Sequence, residues 1–373
     1  RNGNKNSPFK YRKKLKQTLQ VDLGSRSYDI IIAPELVQNS KPYLDPIIAG
    51  RRVAVVSDKI VSNKYLNLLS PTLDSITDSW NLFLIEGGED AKSFSSLENL
   101  LDRMLADGVD RQCVVIAFGG GVVGDVAGFA AGLIMRGIEL IQIPTTLVSQ
   151  VDSSVGGKNG INTRQGKNLV GSFLQPRIVL NDVSLLSSLP SDEMKSGYGE
   201  IVKYGLLCGE EEFTWLENNF STIMSCNNSA LVEVIRMGCD TKAGIVSEDE
   251  LDRGKRALVN LGHTFAHAFE AHAGFGKFQH GLSVQLGLIA ACDLSERIGF
   301  CKKGISQRVR EHANDTEMPV HLNDLSNKTL WKKEALYKRM LHDKKTVNGK
   351  INFVLLRGIG NPFVCNEVTQ QAV

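Results

Sequence analysis

Beyond Leu19 the chain alternates short, β-branched apolar runs with stretches whose apolar residues recur at helical spacing. Runs at 28–32, 52–56, 82–85, 113–118, 140–143 and 178–180 predict strands, and 95–107 predicts a helix between two of them. This alternation predicts an α/β layout around a mainly parallel sheet, with the ligand site at the carboxyl ends of the strands. After Leu189-Pro190 the period changes. Ser191-Asp192-Glu193 reads as a helix start, and helical spacing continues through 197–209, 210–218, 229–248, 258–272, 281–298 and 332–341. A late strand at 351–356 either returns to a sheet or forms an edge hairpin. The expected organisation is a basic arm over 1–18, an α/β domain over 19–190 and a mainly α-helical domain over 191–373.

Composition narrows the function. A chain of 373 residues with 42% hydrophobic residues can bury two sizeable cores. Lys+Arg 43 against Asp+Glu 41 leaves a formal charge of +2, which removes the footprint of a nucleic-acid or membrane-surface binder. A small-molecule substrate is the expectation. The seven cysteines include no C-x-x-C pair, which speaks against a disulfide framework and a cysteine zinc site and for a reducing compartment. The longest apolar stretch, 126–135, is interrupted by Gly128 and Gly132 and ends at Arg136, short of the roughly 20 residues of a spanning helix. Lys5, Lys10, Arg12, Lys13, Lys14 and Lys16 precede the first acid, Asp22. Such a leader reads either as the remnant of an organelle transit peptide or as a solvated basic arm, which leaves plastid and cytoplasm both open.

Three groups of residues carry chemistry. Gly119, Gly121 and Gly124 form G-x-G-x-x-G between an apolar strand and a small-residue helix, where backbone N–H groups can approach a pyrophosphate. A merely tight strand–helix turn is the alternative. Glu139 stands about 20 residues on, but it directly precedes the next strand and is not assigned to a ribose. The run from Pro144 through Gln150-Val151-Asp152-Ser153-Ser154-Val155-Gly156-Gly157-Lys158 to Gly166-Lys167-Asn168 is too polar and glycine-rich for core and suits a binding loop. Arg136, Lys158 and Lys167 offer cations for phosphate or carboxylate. Five of the seven histidines lie between 263 and 312, and His263 and His267 share one helical face. Thr264 excludes an H-E-x-x-H protease, so a His/His/Glu catalytic metal site competes with plain surface histidines.

These motifs, together with Gly160-Ile161-Asn162, Gln175-Pro176-Arg177, Glu200 to Gly205, Leu261 to Thr264, His280-Gly281 and Asp343-Lys344-Lys345, stand in an order that resembles the 3-dehydroquinate synthase family. The similarity runs from about Val21 to Gly360. It implies an NAD-binding α/β domain and a helical metal-binding domain, an active site between them, and a homodimer. The implied reaction converts 3-deoxy-D-arabino-heptulosonate 7-phosphate to 3-dehydroquinate and phosphate. It proceeds by transient oxidation at NAD, phosphate elimination, re-reduction and aldol closure, with the leaving phosphate as its own base.

By position, the resemblance implies Glu200, His263 and His280 as ligands of zinc, or alternatively cobalt, instead of the helical pair. NAD is expected at Glu89, Lys92, Gly121, Val122, Val123, Gly124, Asp125, Thr145, Thr146, Lys158, Lys167, Leu185 and Ser188. The phosphate is expected at Arg136, Lys158, Asn168, His267 and Lys344, the carboxylate at Lys242 and Arg256, and the hydroxyls at Asp152, Lys203 and Asn260. Of these, Asp152, Lys158, Lys203, Asn260 and His267 are the expected catalytic residues.

Three departures stand out: Leu282 where the family has Glu, Asn159 where it has Thr, and Tyr198-Gly199 before Glu200. A glutamate at 282 could accept the second N–H of His280, in which case Leu282 weakens metal binding; alternatively position 282 simply packs beside the cleft. A sedoheptulose 7-phosphate cyclase, a metal-dependent polyol dehydrogenase and a degenerate binding protein are the rival readings. Lys242 and Arg256 argue against the first, and the many phosphate-directed cations argue against the second.

Overall fold

A computed structural model describes residues 15–341 apart from 275 and 327, residues 346–347, and residues 350–373. Most of the basic arm and Lys344 lie outside the described residues. The first half comprises β1 Gln17–Val21, β2 Tyr28–Ala33, α1 Lys41–Ile48, β3 Arg52–Asp58, α2 Lys59–Ile76, β4 Ser79–Ile85, α3 Phe94–Ala106, β5 Val114–Gly119, α4 Gly121–Leu133 and β6 Glu139–Pro144. It continues with β7 Lys158–Thr163, β8 Gly166–Phe173 and β9 Ile178–Asp182. The second half comprises α5 Ser191–Cys208, α6 Glu210–Met224, α7 Asn228–Glu248, α8 His263–Ala273, α9 His280–Arg297, α10 Ile305–Asp315, α11 Leu322–Leu325 and α12 Lys333–Leu341. Short strands β10 Thr346–Val347, β11 Lys350–Ile351, β12 Phe353–Leu356 and β13 Pro362–Cys365 close it.

The main sheet runs β1-β2-β9-β6-β5-β3-β4, parallel except for β1. Every residue of β5 is buried, as a parallel strand covered on both faces requires. From β3 the chain steps outward to β4, and from β5 it steps the other way through β6 to β9, so the sheet has its switch point between β3 and β5, the place where open α/β sheets bind ligands. The division near 190 is not a division of cores: Val21, Tyr28, Ile30 and Ile32 of β1–β2 share one cluster with α5, α7 and α9.

Several elements depart from the sequence reading. The expected arm of 1–18 ends in strand, since β1 opens at Gln17. The glycine-rich run at 158–173 is an antiparallel hairpin, β7–β8, and not a loop. The helix expected at 258–272 is a 3-10 turn, Lys255–Asn260, followed by α8, with Gly262 at φ 79 between them. The late strand takes the edge-hairpin form, β12 pairing with β13 away from the main sheet.

Candidate active site

The metal-ligand positions converge because two helices cross at glycines. A Cβ on Gly199 of α5 would lie 2.1 Å from the Gly281 carbonyl oxygen, and one on Gly281 of α9 would lie 1.7 Å from that of Ser196. Only glycine allows this approach, which sets Glu200 beside His280. Glu200 Oε1 is 3.6 Å from His263 Nε2 and 3.3 Å from His280 Nε2. Donors held tetrahedrally at about 2.1 Å from a zinc ion stand about 3.4 Å apart, so the spacing suits one ion. The outer ring nitrogens are already occupied: His263 Nδ1 lies 3.2 Å from the Leu261 carbonyl and His280 Nδ1 lies 2.7 Å from Glu270 Oε1. Both rings therefore present Nε2 inward, as metal ligands do. Among the described residues this is the one group of His, Cys, Asp and Glu with ligand spacing. His267 is not in it; its ring centroid is 5.6 Å from that of His263, one turn along α8.

A chain of charges continues from the donors. Asp152, on the turn Ser149–Ser153 after β6, accepts from Lys203 Nζ at 2.6 Å, from the Tyr204 hydroxyl at 2.9 Å and from Lys242. Lys203 also lies 2.7 Å from Glu200 Oε2. Burial alone would raise the Asp152 pKa, but the two ammonium groups outweigh it and hold the carboxyl well below its ordinary range. Burial lowers Lys242, whereas Lys203 is raised because Asp152 and Glu200 overcome the cost of burying its charge. Arg256, 1% exposed, donates to the carbonyls of Gly156 and Glu250, and its Nε is buried without a hydrogen-bond partner.

On the sheet side, α4 points its N-terminus into the cleft, and Gly121, Val122, Val123, Thr145, Thr146 and Ser188 line it. Lys92 donates to Asp125 at 2.6 Å and to Asn168, while Asn162 donates to Glu89 at 2.7 Å. Glu89, Lys92, Asp125 and Asn168 thus tie the turn Glu89–Ala91 to the hairpin β7–β8. Burial raises the Asp125 pKa, with Lys92 opposing it. The cleft of about 2470 Å³ also takes in Lys158, Lys167, Asn260 and His267. That exceeds the roughly 300–1,000 Å³ of a site for one small ligand and suits a dinucleotide together with a substrate.

Among the described residues, three of the expected site residues do not line the cleft. Arg136 is exposed before the start of β6, at the opposite end of the sheet from the strand carboxyl ends. Leu185 is buried and offers its carbonyl to the Tyr65 hydroxyl at 3.2 Å. Gly124 faces Gln142 of β6. Glu139, the first residue of β6, pairs with Arg51 and Arg177 and does not line the cleft.

Two acids escaped the sequence reading: Glu270, on His280, and Asp252, which pairs with Lys158. Glu270 follows His263 at i+7 and His267 at i+3 on one face of α8, a spacing that points to it. Leu282 packs against the helical core, so Glu270 and no residue at 282 accepts the second N–H of His280. The other departures also have partners. Asn159 donates to the Gly157 and Leu174 carbonyls, and the Tyr198 hydroxyl meets His312 Nε2 at 2.9 Å.

A parallel sheet with a helix N-terminus at its switch point, facing a Glu/His/His donor set and a cluster of buried cations, defines an enzyme of the nucleotide- and metal-dependent class acting on a small anionic substrate. Residues 82–196 match the family model described as 3-dehydroquinate synthase N-terminal, and residues 197–346 match that described as 3-dehydroquinate synthase C-terminal. The chain belongs to the 3-dehydroquinate synthase family. The 3-dehydroquinate synthase of Rhodospirillum rubrum is 45% identical over 356 residues, which cover 95% of this chain and 92% of that one. Among solved structures, 2-epi-5-epi-valiolone synthase from Streptomyces hygroscopicus, with NAD+ and Zn2+ bound, aligns at a TM-score of 0.84 with 28% identity, covering 94% of this chain and 96% of its own. A 2-deoxy-scyllo-inosose synthase complexed with carbaglucose-6-phosphate, NAD+ and Co2+ aligns at 0.83 with 26% identity, covering 94% and 95%. Among the described residues no helix is long and apolar enough to cross a membrane.

Proposed function

We propose that this enzyme is a 3-dehydroquinate synthase that converts 3-deoxy-D-arabino-heptulosonate 7-phosphate to 3-dehydroquinate and phosphate in the cleft between its two halves. The observation that carries this reading is the run of contacts from His280 and His263 through Glu200 and Lys203 to Asp152 and Lys242, with Arg256 beside it. When bound, NAD supplies reversible hydride acceptance and a divalent metal, zinc or cobalt, supplies Lewis acidity at the substrate hydroxyls.

The chain's own residues bind and orient. Glu200, His263 and His280 would hold the metal, leaving positions for substrate oxygens. Lys242 and Arg256 take the carboxylate, and Asp152, Lys203 and Asn260 orient the hydroxyls. Lys158, Asn168 and His267 receive the phosphate, stabilising charge as it leaves. Glu89, Lys92, Asp125, Lys167 and the α4 N-terminus hold the dinucleotide. Lys158 and Lys242 rest on Asp252 and Asp152, so substrate anions exchange with these internal carboxylates instead of meeting free cations. Assembly as a homodimer belongs to the same reading.

Identity of 45% to a 3-dehydroquinate synthase, against 26–28% to other sugar phosphate cyclases of known structure, favours the carboxylated substrate over the cyclase alternative. The test is phosphate release from the heptulosonate phosphate with NAD and zinc. Turnover that stops on chelation and leaves no net NADH is expected; stoichiometric NADH would point to a dehydrogenase.

A further inference from the structure

Glu270 is 3% exposed and uses its two carboxylate oxygens on opposite sides of the cleft. Oε1 accepts from His280 Nδ1 at 2.7 Å; Oε2 accepts from Lys167 Nζ, on the hairpin β7–β8, at 3.1 Å. The hairpin stands apart from the main sheet, and β8 is half-exposed along its length. One side of it is seated on α4, where Asn159 fills the space that a Cβ on Gly128 would take. Toward the helical half, the ion pairs Lys167–Glu270 and Lys158–Asp252 tie it down. β8, with its half-exposed backbone, opens more readily than β7, whose Ile161 is buried in the core, so the ties along β8 decide its position.

We propose that Glu270 is a positioning residue that couples the metal site to this hairpin, so that loading the metal fixes Lys158, Lys167 and Asn168 over the cleft. The proposal rests on the metal-site reading above. A metal held by His280 Nε2 fixes the ring plane, and the Nδ1–H then fixes Glu270 Oε1. Because the carboxylate is rigid, Oε2 is thereby aimed at Lys167. By linkage, whatever the metal adds to the hairpin's order, the hairpin returns to metal affinity.

The test uses the full-length metal-free protein, titrated with cobalt while its visible absorption and, separately, hydrogen exchange over 158–173 are followed. Glu270→Gln is expected to weaken cobalt binding 10- to 100-fold, the range for losing a ligand's supporting partner. In the unaltered protein cobalt should slow exchange across the hairpin; in Lys167→Met that slowing should vanish while cobalt binding weakens by less than about tenfold, the smaller loss that linkage predicts. Unaltered cobalt affinity in Glu270→Gln, or equal slowing in Lys167→Met, overturns the proposal. If Glu270→Gln fails to fold, the Lys167→Met comparison decides alone. Absence of cobalt binding in the unaltered protein, or normal binding by His263→Ala, instead overturns the ligand set itself.

Discussion

The guanidinium of Arg256 is fitted against the backbone of Gly156: Nη2 donates to the Gly156 carbonyl at 2.8 Å, and a Cβ on Gly156 would stand 2.4 Å from that nitrogen. Gly156 also lies at φ +91, a conformation that side chains other than glycine's rarely adopt. Gly156→Ala therefore displaces Arg256 without removing it. A hydrogen bond to a charged group contributes about 1.5–3 kcal/mol, so KM for the carboxylated substrate should rise roughly 10- to 100-fold with a smaller change in kcat. A steady-state comparison checks it.

Arg256→Ala tests the same contact from the other side. It should raise KM at least as far, and should narrow the preference for the heptulosonate phosphate over a sugar phosphate without the carboxylate. Equal use of both by the unaltered enzyme contradicts the carboxylate assignment.

The metal-free site carries a proton that the metal must displace. Burial lowers the affinity of His280 for that proton, but Glu270 and Glu200 outweigh burial and push its pKa up to about 10. Below that value cobalt or zinc binding should release about one proton, and affinity should tighten about tenfold per pH unit across the neutral range. Calorimetry in two buffers of different ionisation enthalpy measures the release. The folded pKa lies above the ordinary value of 6.5, so this contribution to the metal-free fold is complete below about 6.5 and is lost as pH rises toward about 10. Thermal melts of metal-free protein should fall across that window.

Leu282→Glu should leave metal affinity within about threefold, since Glu270 already accepts the His280 Nδ1 proton. It should lower stability by about 1 kcal/mol or more, because a carboxylate replaces a side chain packed on the helical core. Chelator competition and denaturant unfolding separate the two effects.

The sequence by itself determined the class of fold and the switch-point glycine turn, because these rest on local period and on residue types in fixed order; Glu200, His263 and His280 came from the family resemblance, since spacing alone pointed to His263 and His267. β3, β5, β6 and β9 were legible as apolar runs since both their faces are covered. Helices α1 and α2 were not, because Pro46 and Pro71 interrupt their pattern. The hairpin β7–β8 was hidden for another reason: its residues suit a polar cleft and the close approach of α4, not an alternating core face. Only the tertiary structure decided which charges meet. No spacing tells that Lys158 rests on Asp252, 94 residues away, or that the second oxygen of Glu270 reaches Lys167 on the hairpin. It also separated Arg136 from the cleft, because α4 carries the chain from the carboxyl end of β5 back to the amino end of β6. Local periodicity reports how each segment buries itself; the partner of a buried charge is set by packing between segments, and that appears only when the chain is folded.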